Sequence, residues 1–248
     1  MTDNSRRSFH HTLRAAGIAL LALSACGKSE PRRPDSASVQ ATVAPPVVAP
    51  AAPATSATEG PRYRPGAVIV FAGTSLTAGL GLDPDDAYPQ LVQRKIDSAG
   101  LKFQVVNAGV SGETSAGLLR RLDWLMREPF DLIVIETGAN DGLRGIQVEA
   151  LERNIQTIID RIRAKRPSAQ IALVQMEAPP NLGPGYTAGF RELFPRLATK
   201  NGVALLPFLL DGVAGVRSLN QSDGIHPNEA GERIVAENIW KGLKPLIQ

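Results

Sequence analysis

Cysteine and histidine are scarce in this chain, and their scarcity excludes several chemistries. Cys26 is the only cysteine in 248 residues, so a disulfide-stabilised scaffold is excluded. Two of the three histidines, His10 and His11, lie near the amino terminus, which leaves His226 as the only imidazole in the remainder. Transition-metal sites are built mainly from these two residue types. We therefore expect no metal site and no cofactor.

A large excess of charge of either sign is also missing. Lys and Arg together number 27, against 24 Asp and Glu. The one local basic cluster, residues 161–166, lies where a helix is expected to end, and the helix dipole favours cations there. A nucleic-acid-binding protein concentrates positive charge on one face. We therefore predict no nucleic-acid partner, and no pattern in the sequence demands more than a monomer.

The amino terminus has the features of an export signal. Arg6 and Arg7 precede an apolar run over residues 15–25, and these roughly 11 residues are too few for a membrane-spanning helix of about 20. A basic start, a short apolar middle and small residues at its end are typical of a secretory signal. The alternative is a chance apolar terminus with a stray cysteine.

The end of this run, Leu23-Ser-Ala-Cys26-Gly, resembles the lipobox of bacterial lipoproteins. The resemblance implies that residues 1–26 are a signal peptide and that Cys26 carries a lipid. It also implies export to the bacterial cell envelope and anchoring in a membrane through that lipid, on the periplasmic side. The arginine pair is similar to a twin-arginine export signal, so Tat and Sec export both stay open.

Residues 27–65 differ in composition from the rest of the chain. They consist largely of Pro, Ala, Ser, Thr and Val and contain almost no aromatic residues. Such a segment cannot bury enough apolar surface to offset the entropy lost on ordering. We predict a disordered linker here, followed by one folded domain over residues 66–248.

The folded part alternates strand and helix patterns. Continuous apolar runs, as strands covered on both faces require, predict strands at residues 67–72, 103–108, 132–135, 171–175 and 203–206. Helical spacing predicts helices over residues 88–100, 116–126 and 148–162, a less regular one at 189–200 interrupted by Pro195, and a last one beginning at Pro227. We expect Trp124 and Trp240 to lie in the core. The alternation predicts an α/β fold with an open parallel sheet, which binds ligands beyond the carboxyl ends of its strands.

Four short polar segments follow predicted strands or precede the last helix. They are Gly73–Gly79, Asn107–Gly112, Gly138–Gly142 and Asp223–Pro227. None completes a phosphate-binding loop or a dinucleotide fingerprint. Each alone has an ordinary structural interpretation, because Ser75 could be a helix cap and Gly, Asn and Asp are common in turns.

Together, these segments indicate nucleophilic catalysis. Asp223 lies one short turn before His226, so its carboxylate can accept the Nδ1–H and leave Nε2 facing a serine such as Ser75. The Gly109 N–H and the Asn140 amide could face one oxyanion. Asp141 is interpreted as a residue that shapes the turn after Asn140.

The same segments resemble the sequence blocks of the SGNH hydrolases, also called the GDSL family. Within it, the chain is similar to the acyl-CoA thioesterase I, lysophospholipase and arylesterase group. The resemblance implies a three-layer α/β/α sandwich with a flavodoxin-like, five-stranded parallel sheet. It implies Ser75, Asp223 and His226 as the catalytic triad, and an oxyanion hole of the Ser75 N–H, the Gly109 N–H and the Asn140 amide.

Two further features follow from the resemblance. Residues 142–145 resemble the loop that covers the acyl chain in the thioesterase I group, so Leu143 and Arg144 are candidate substrate contacts; an ordinary surface loop is the alternative. Family members usually have Asp where this chain has Thr74. That Asp is not the triad acid, so we expect a retuned serine loop and an active site.

The sequence thus predicts a serine esterase or thioesterase that hydrolyses acyl esters (lysophospholipid, aryl ester or acyl thioester) through an acyl-enzyme. Three alternatives stay open. One is an esterase that removes O-acetyl groups from envelope carbohydrate with the same residues. The others are a catalytically silent lipoprotein that binds lipid or glycan, and a structural tether in the envelope.

Overall fold

The structure is a computed structural model that describes residues 63–248. The predicted signal peptide, the lipid attachment site at Cys26 and nearly all of the predicted linker lie outside the described residues. No helix within residues 63–248 is long and apolar enough to cross a membrane.

Five parallel strands form one sheet in the order β2-β1-β3-β4-β5. The strands are β1 (Ala67–Gly73), β2 (Phe103–Gly109), β3 (Leu132–Ile135), β4 (Gln170–Gln175) and β5 (Ala204–Phe208). The central strand β3 is buried along its whole length, and β1 and β4 nearly so, as their continuous apolar runs require. Gly73 pairs with Gly109, so β1 and β2 end side by side. The predicted α/β fold with a five-stranded parallel sheet is confirmed.

Seven α-helices connect or follow the strands in the described part of the chain. They are α1 (Ser75–Ala78), α2 (Tyr88–Ser98), α3 (Ser115–Leu125), α4 (Ala139–Leu143), α5 (Val148–Lys165), α6 (Pro184–Asn201) and α7 (Glu229–Ile247). Helix α2 packs on α7. Helix α2 also contacts β2, and α7 contacts β5. Helix α5 packs between α3 and α6, and α6 contacts β4 and β5.

Three expectations about the helices are wrong. Helix α7 begins at Glu229 instead of Pro227, because Asn228 caps it by accepting the N–H groups of Ala230 and Gly231. Helix α6 runs unbroken through Pro195, with buried side chains before and after it. Trp124 is 60% exposed and not part of the core, whereas Trp240 packs partly buried against it.

Candidate active site

Ser75 lies directly beyond the carboxyl end of β1. Thr74 is the N-cap of the one-turn helix α1, since its Oγ1 accepts the Leu76 N–H at 3.3 Å. Ser75 is the first residue of that turn and not its cap, and the turn ends at Gly79 with φ of 68°. A serine at this position presents its hydroxyl and its N–H toward the edge of the sheet where ligands bind in parallel α/β folds.

His226 connects Ser75 to Asp223. Its Nε2 lies 2.9 Å from Ser75 Oγ, and its Nδ1 lies 2.6 Å from Asp223 Oδ2. Asp223 Oδ1 also accepts the backbone N–H groups of Ile225 and His226. The hydrogen bond from the His226 side chain, helped by these two N–H groups, lowers the pKa of Asp223 to about 2. Asp223 is therefore ionised at neutral pH and can stabilise a protonated imidazole.

Gln221 holds the loop that carries these two residues. Its N–H donates to the His226 carbonyl at 2.7 Å, and its side-chain amide donates to the Leu80 carbonyl at 2.7 Å. The second bond ties the histidine loop to the turn that follows α1. Sequence reasoning missed Gln221, because its partner Leu80 is 141 residues away.

Asn140 lies on the one-turn helix α4, after β3. Its Nδ2 donates to the Glu113 carbonyl at 3.0 Å, which uses one amide hydrogen and leaves the second available. The next residue, Asp141, is buried, and its carboxylate accepts the Ser115 N–H at 2.8 Å and the Ser115 hydroxyl at 2.6 Å. Asp141 thus does more than shape a turn, because it joins α4 to the start of α3 and holds Asn140 in place.

Gly109 does not fit the role predicted for it. Its N–H already donates to Asn107 Oδ1 at 3.0 Å, and Asn107 is fixed in turn by donating to the Thr77 carbonyl at 2.8 Å. This N–H is therefore not free for an oxyanion. Three residues on, the Gly112 N–H has no acceptor among residues 63–248. Gly112 precedes Glu113, the residue to which Asn140 is hydrogen-bonded.

Leu143 and Arg144 lie at the end of α4. The Leu143 side chain is exposed, and Arg144 donates to the Gly112 carbonyl at 3.0 Å. Arg144 also lines a pocket of about 380 Å³ together with Arg120 and an ion pair between Arg121 and Glu113. In the part of the chain described, neither Arg120 nor Arg144 pairs with a carboxylate. The pocket is therefore cationic and lies beside Gly112.

Apolar side chains are exposed around the Ser75 edge of the sheet. Leu80 follows α1, and Val110 follows β2. Leu143 is the last residue of α4, and Ile225 directly precedes His226. Scattered exposed apolar residues need no explanation, but four that lie in the loops forming one site favour an apolar ligand.

Glu136 is a buried carboxyl group that the sequence analysis did not single out. It follows β3 directly and contacts Thr74 and Thr77 on either side of Ser75. Burial raises the pKa of Glu136, while the hydrogen bonds from the two threonines act in the opposite direction. A charged residue directly after the wholly apolar run of β3 was the available signal. No group of three or more His, Cys, Asp and Glu side chains among the described residues could hold a metal ion.

Comparison with known proteins identifies the family of this chain. Residues 71–234 match the model of the GDSL-like lipase/acylhydrolase family. The chain belongs to this family. The esterase TesA of Pseudomonas aeruginosa is 41% identical over 180 residues, which cover 72% of this chain and 89% of that protein. The thioesterase 1/protease 1/lysophospholipase L1 of Escherichia coli is 36% identical over 180 residues, covering 72% and 84%.

Solved structures of GDSL hydrolases share the fold. A crystal structure of TesA matches with a TM-score of 0.69 at 40% identity, covering 72% of this chain and 99% of that one. The esterase EstA from Pseudoalteromonas sp., in a structure inhibited by monoethylphosphonate, matches with a TM-score of 0.67 at 34% identity, covering 72% and 97%. The protein is therefore a hydrolase of the GDSL family.

Proposed function

We propose that this hydrolase cleaves acyl esters and thioesters with Ser75 as nucleophile, His226 as base and Asp223 as the group that orients the base. The observation that carries the proposal is the continuous hydrogen-bonded chain from Asp223 through His226 to Ser75, with distances of 2.6 and 2.9 Å. A nucleophile within reach of a base that is itself oriented by a third group is the arrangement that such catalysis needs.

The reaction divides into two similar halves. Ser75 Oγ attacks the carbonyl carbon while His226 Nε2 takes its proton, and His226 then returns the proton to the departing alcohol or thiol. This leaves the acyl group on Ser75 Oγ. Water, activated by the same Nε2, attacks the acyl-enzyme and releases the carboxylic acid and free Ser75. Asp223 holds Nδ1–H throughout and stabilises the imidazolium.

The oxyanion of each tetrahedral intermediate needs donors that no other group uses. As the first residue of α1, Ser75 has an N–H without an acceptor within the helix. Asn140 supplies its second amide hydrogen. We assign the Gly112 N–H as the third donor in place of the Gly109 N–H, because the Gly109 N–H already donates to Asn107 Oδ1.

We propose acyl lipids as the substrate class. Leu80, Val110, Leu143 and Ile225 offer apolar surface for an acyl chain, and the cationic pocket at Arg120 and Arg144 suits a leaving group that carries phosphate. The names of relatives include thioesterase, lysophospholipase and arylesterase activities. An acetyl esterase of carbohydrate would need neither the apolar surface nor the cations.

The test is hydrolysis of p-nitrophenyl esters from acetate to palmitate by the full chain, with Ser75→Ala alongside. We expect turnover that peaks at medium or long chains and vanishes in the variant. A maximum at acetate would favour the carbohydrate esterase, and equal background rates for both proteins would favour a binding protein. As a second arm, monoacyl phospholipid should be cleaved faster at low than at high salt, since screening weakens the contact with the cationic pocket.

A further inference from the structure

One buried carboxylate lies beneath the nucleophile and takes no part in the mechanism above. Glu136 is 1% exposed. Its Oε2 accepts the Thr74 N–H at 2.7 Å, the Thr74 hydroxyl at 2.9 Å and the Thr77 hydroxyl at 3.0 Å. Its Oε1 lies 3.1 Å from the same Thr74 hydroxyl. The two threonines that flank Ser75 are therefore both held by one carboxylate.

The packing around this carboxylate leaves no spare room. A Cβ on Gly73 would lie 2.6 Å from Glu136 Oε2 and 1.9 Å from Thr77 Oγ1, so no side chain fits at that position. The Thr77 hydroxyl, which donates to Glu136, accepts in turn from the buried Tyr88 hydroxyl at 2.8 Å. Each polar atom in this cluster has a partner, so its geometry is well defined.

Helix α1 depends on such contacts for its position. A single helical turn has almost no stability of its own, because nucleation costs more than one turn of hydrogen bonds returns. Thr74, the cap of this turn, is joined to Glu136 by both its N–H and its hydroxyl. Glu136 and Asn140 also lie on the same short segment after β3. Glu136 thus connects the nucleophile to the segment that carries the oxyanion amide.

We propose that Glu136 is a positioning residue for Ser75. Its carboxylate holds Thr74 and Thr77 so that Ser75 Oγ stays within hydrogen-bond distance of His226 Nε2. The proposal rests on the function proposed above.

The first test is Glu136→Gln, which keeps one acceptor oxygen but turns an NH₂ toward hydroxyl and N–H donors. We expect kcat and the rate of labelling by a fluorophosphonate to fall roughly 10- to 100-fold, as leaving a buried donor without its acceptor predicts. KM should stay within about twofold, because Glu136 does not contact the substrate side of Ser75. An unchanged labelling rate in the folded variant would overturn the proposal.

Threonine variants test the same contacts without altering the buried carboxyl group itself. Thr74→Val removes the hydroxyl and should slow labelling. Thr74→Ser keeps the hydroxyl and should label at close to the wild-type rate. Thr137→Val is the matched control, since Thr137 is the residue after Glu136 and its buried hydroxyl has no partner in the described chain. Thr137→Val should label at the wild-type rate.

These variants keep the proposal testable even if Glu136→Gln fails to fold. Thr74→Val with full activity, or Thr74→Ser no better than Thr74→Val, would then refute it. If both variants fold, adding Thr74→Val to Glu136→Gln should lower the labelling rate little further, because the two substitutions disrupt the same interaction. Failure of the proposed function looks different, since wild type and Ser75→Ala would then label alike.

Discussion

At the scale of single residues, Asp223 is a partly exposed carboxylate to which we assign a catalytic role. Its side chain is 44% exposed, yet it accepts three hydrogen bonds from His226 and Ile225. These bonds hold the pKa of Asp223 at about 2, so the carboxylate persists at any pH where an imidazole base is neutral. In the proposed mechanism, this carboxylate selects the His226 tautomer that leaves Nε2 unprotonated toward Ser75.

Asp223→Asn tests this role. The amide cannot stabilise an imidazolium and favours the wrong tautomer, so we expect kcat to fall about 10³- to 10⁴-fold, by analogy with serine proteases. The measurement is kcat for p-nitrophenyl butyrate. Asp85→Asn, at an exposed side chain before α2, is the control and should be fully active. A fall of less than tenfold in Asp223→Asn would remove Asp223 from the triad.

Asn140→Ala tests the oxyanion donor. Loss of one such donor costs about 2.7–4 kcal/mol of transition-state stabilisation, which corresponds to roughly 10²- to 10³-fold in kcat. The fold should persist, because the buried contact between Asp141 and Ser115 is kept. Asn181→Ala, at an exposed position before α6, is the control. Wild-type turnover by Asn140→Ala would exclude the amide from the mechanism.

At the scale of elements, the pair α2 and α7 contains an unusual buried acid. Glu232, in the first turn of α7, accepts the Tyr88 N–H at the start of α2 at 2.8 Å. Burial, together with the negative charge of Glu136, raises the pKa of Glu232 to about 8, against the bond from Tyr88. The two helices are thus joined by a carboxyl group that is protonated at neutral pH.

This pKa predicts how stability depends on pH. Between pH 4.5, the ordinary value for Glu, and about 8, the folded protein keeps a proton on Glu232 that the unfolded chain has lost. The free energy of unfolding should therefore fall as the pH rises through this window, by at most about 1.4 kcal/mol for each pH unit.

Urea unfolding at pH 5 and pH 9 would measure the effect. Glu232→Gln keeps the acceptor for Tyr88 and cannot ionise, so its stability should decline less at pH 9 than that of the wild type. Glu229→Gln, an exposed acid in the same turn of α7, should behave like the wild type. Equal losses in wild type and Glu232→Gln would contradict the prediction.

At the scale of the whole molecule, we propose that Cys26 carries a lipid and that the hydrolase domain is thereby held at a membrane of the bacterial envelope. The proposal rests on the lipobox-like sequence alone. A hydrolase of acyl lipids held beside a membrane would meet its substrate at high local concentration. A single acyl chain binds membranes only marginally, so stable anchoring needs more than one chain.

Metabolic labelling with a palmitate analogue tests the anchor. The full chain should incorporate label and sediment with membranes, whereas Cys26→Ala should do neither. Ser29→Ala, three residues beyond the cysteine, is the control and should label fully. Equal labelling of wild type and Cys26→Ala would show that the cysteine is not the attachment site.

Local sequence patterns were sufficient to predict the strands, most of the helices and the residues that meet at Ser75. A strand buried on both faces must be apolar throughout, as β3 is, and the carboxyl ends of parallel strands meet at one edge of the sheet. One histidine beyond the amino terminus left a single base to consider. These inferences need only chain order and composition.

Tertiary packing decided the contacts that join distant parts of the chain. Glu136 meets Thr74 across 62 residues, and no local pattern encodes which buried donor a carboxylate will reach. Asn107 donates to the Thr77 carbonyl 30 residues away, and this contact fixes the side chain that accepts the Gly109 N–H. Trp124 turns outward although it lies on an amphipathic helix. Hydrogen-bond partners and exposure are properties of the assembled layers, because they depend on which side chains the neighbouring elements bring to the same place.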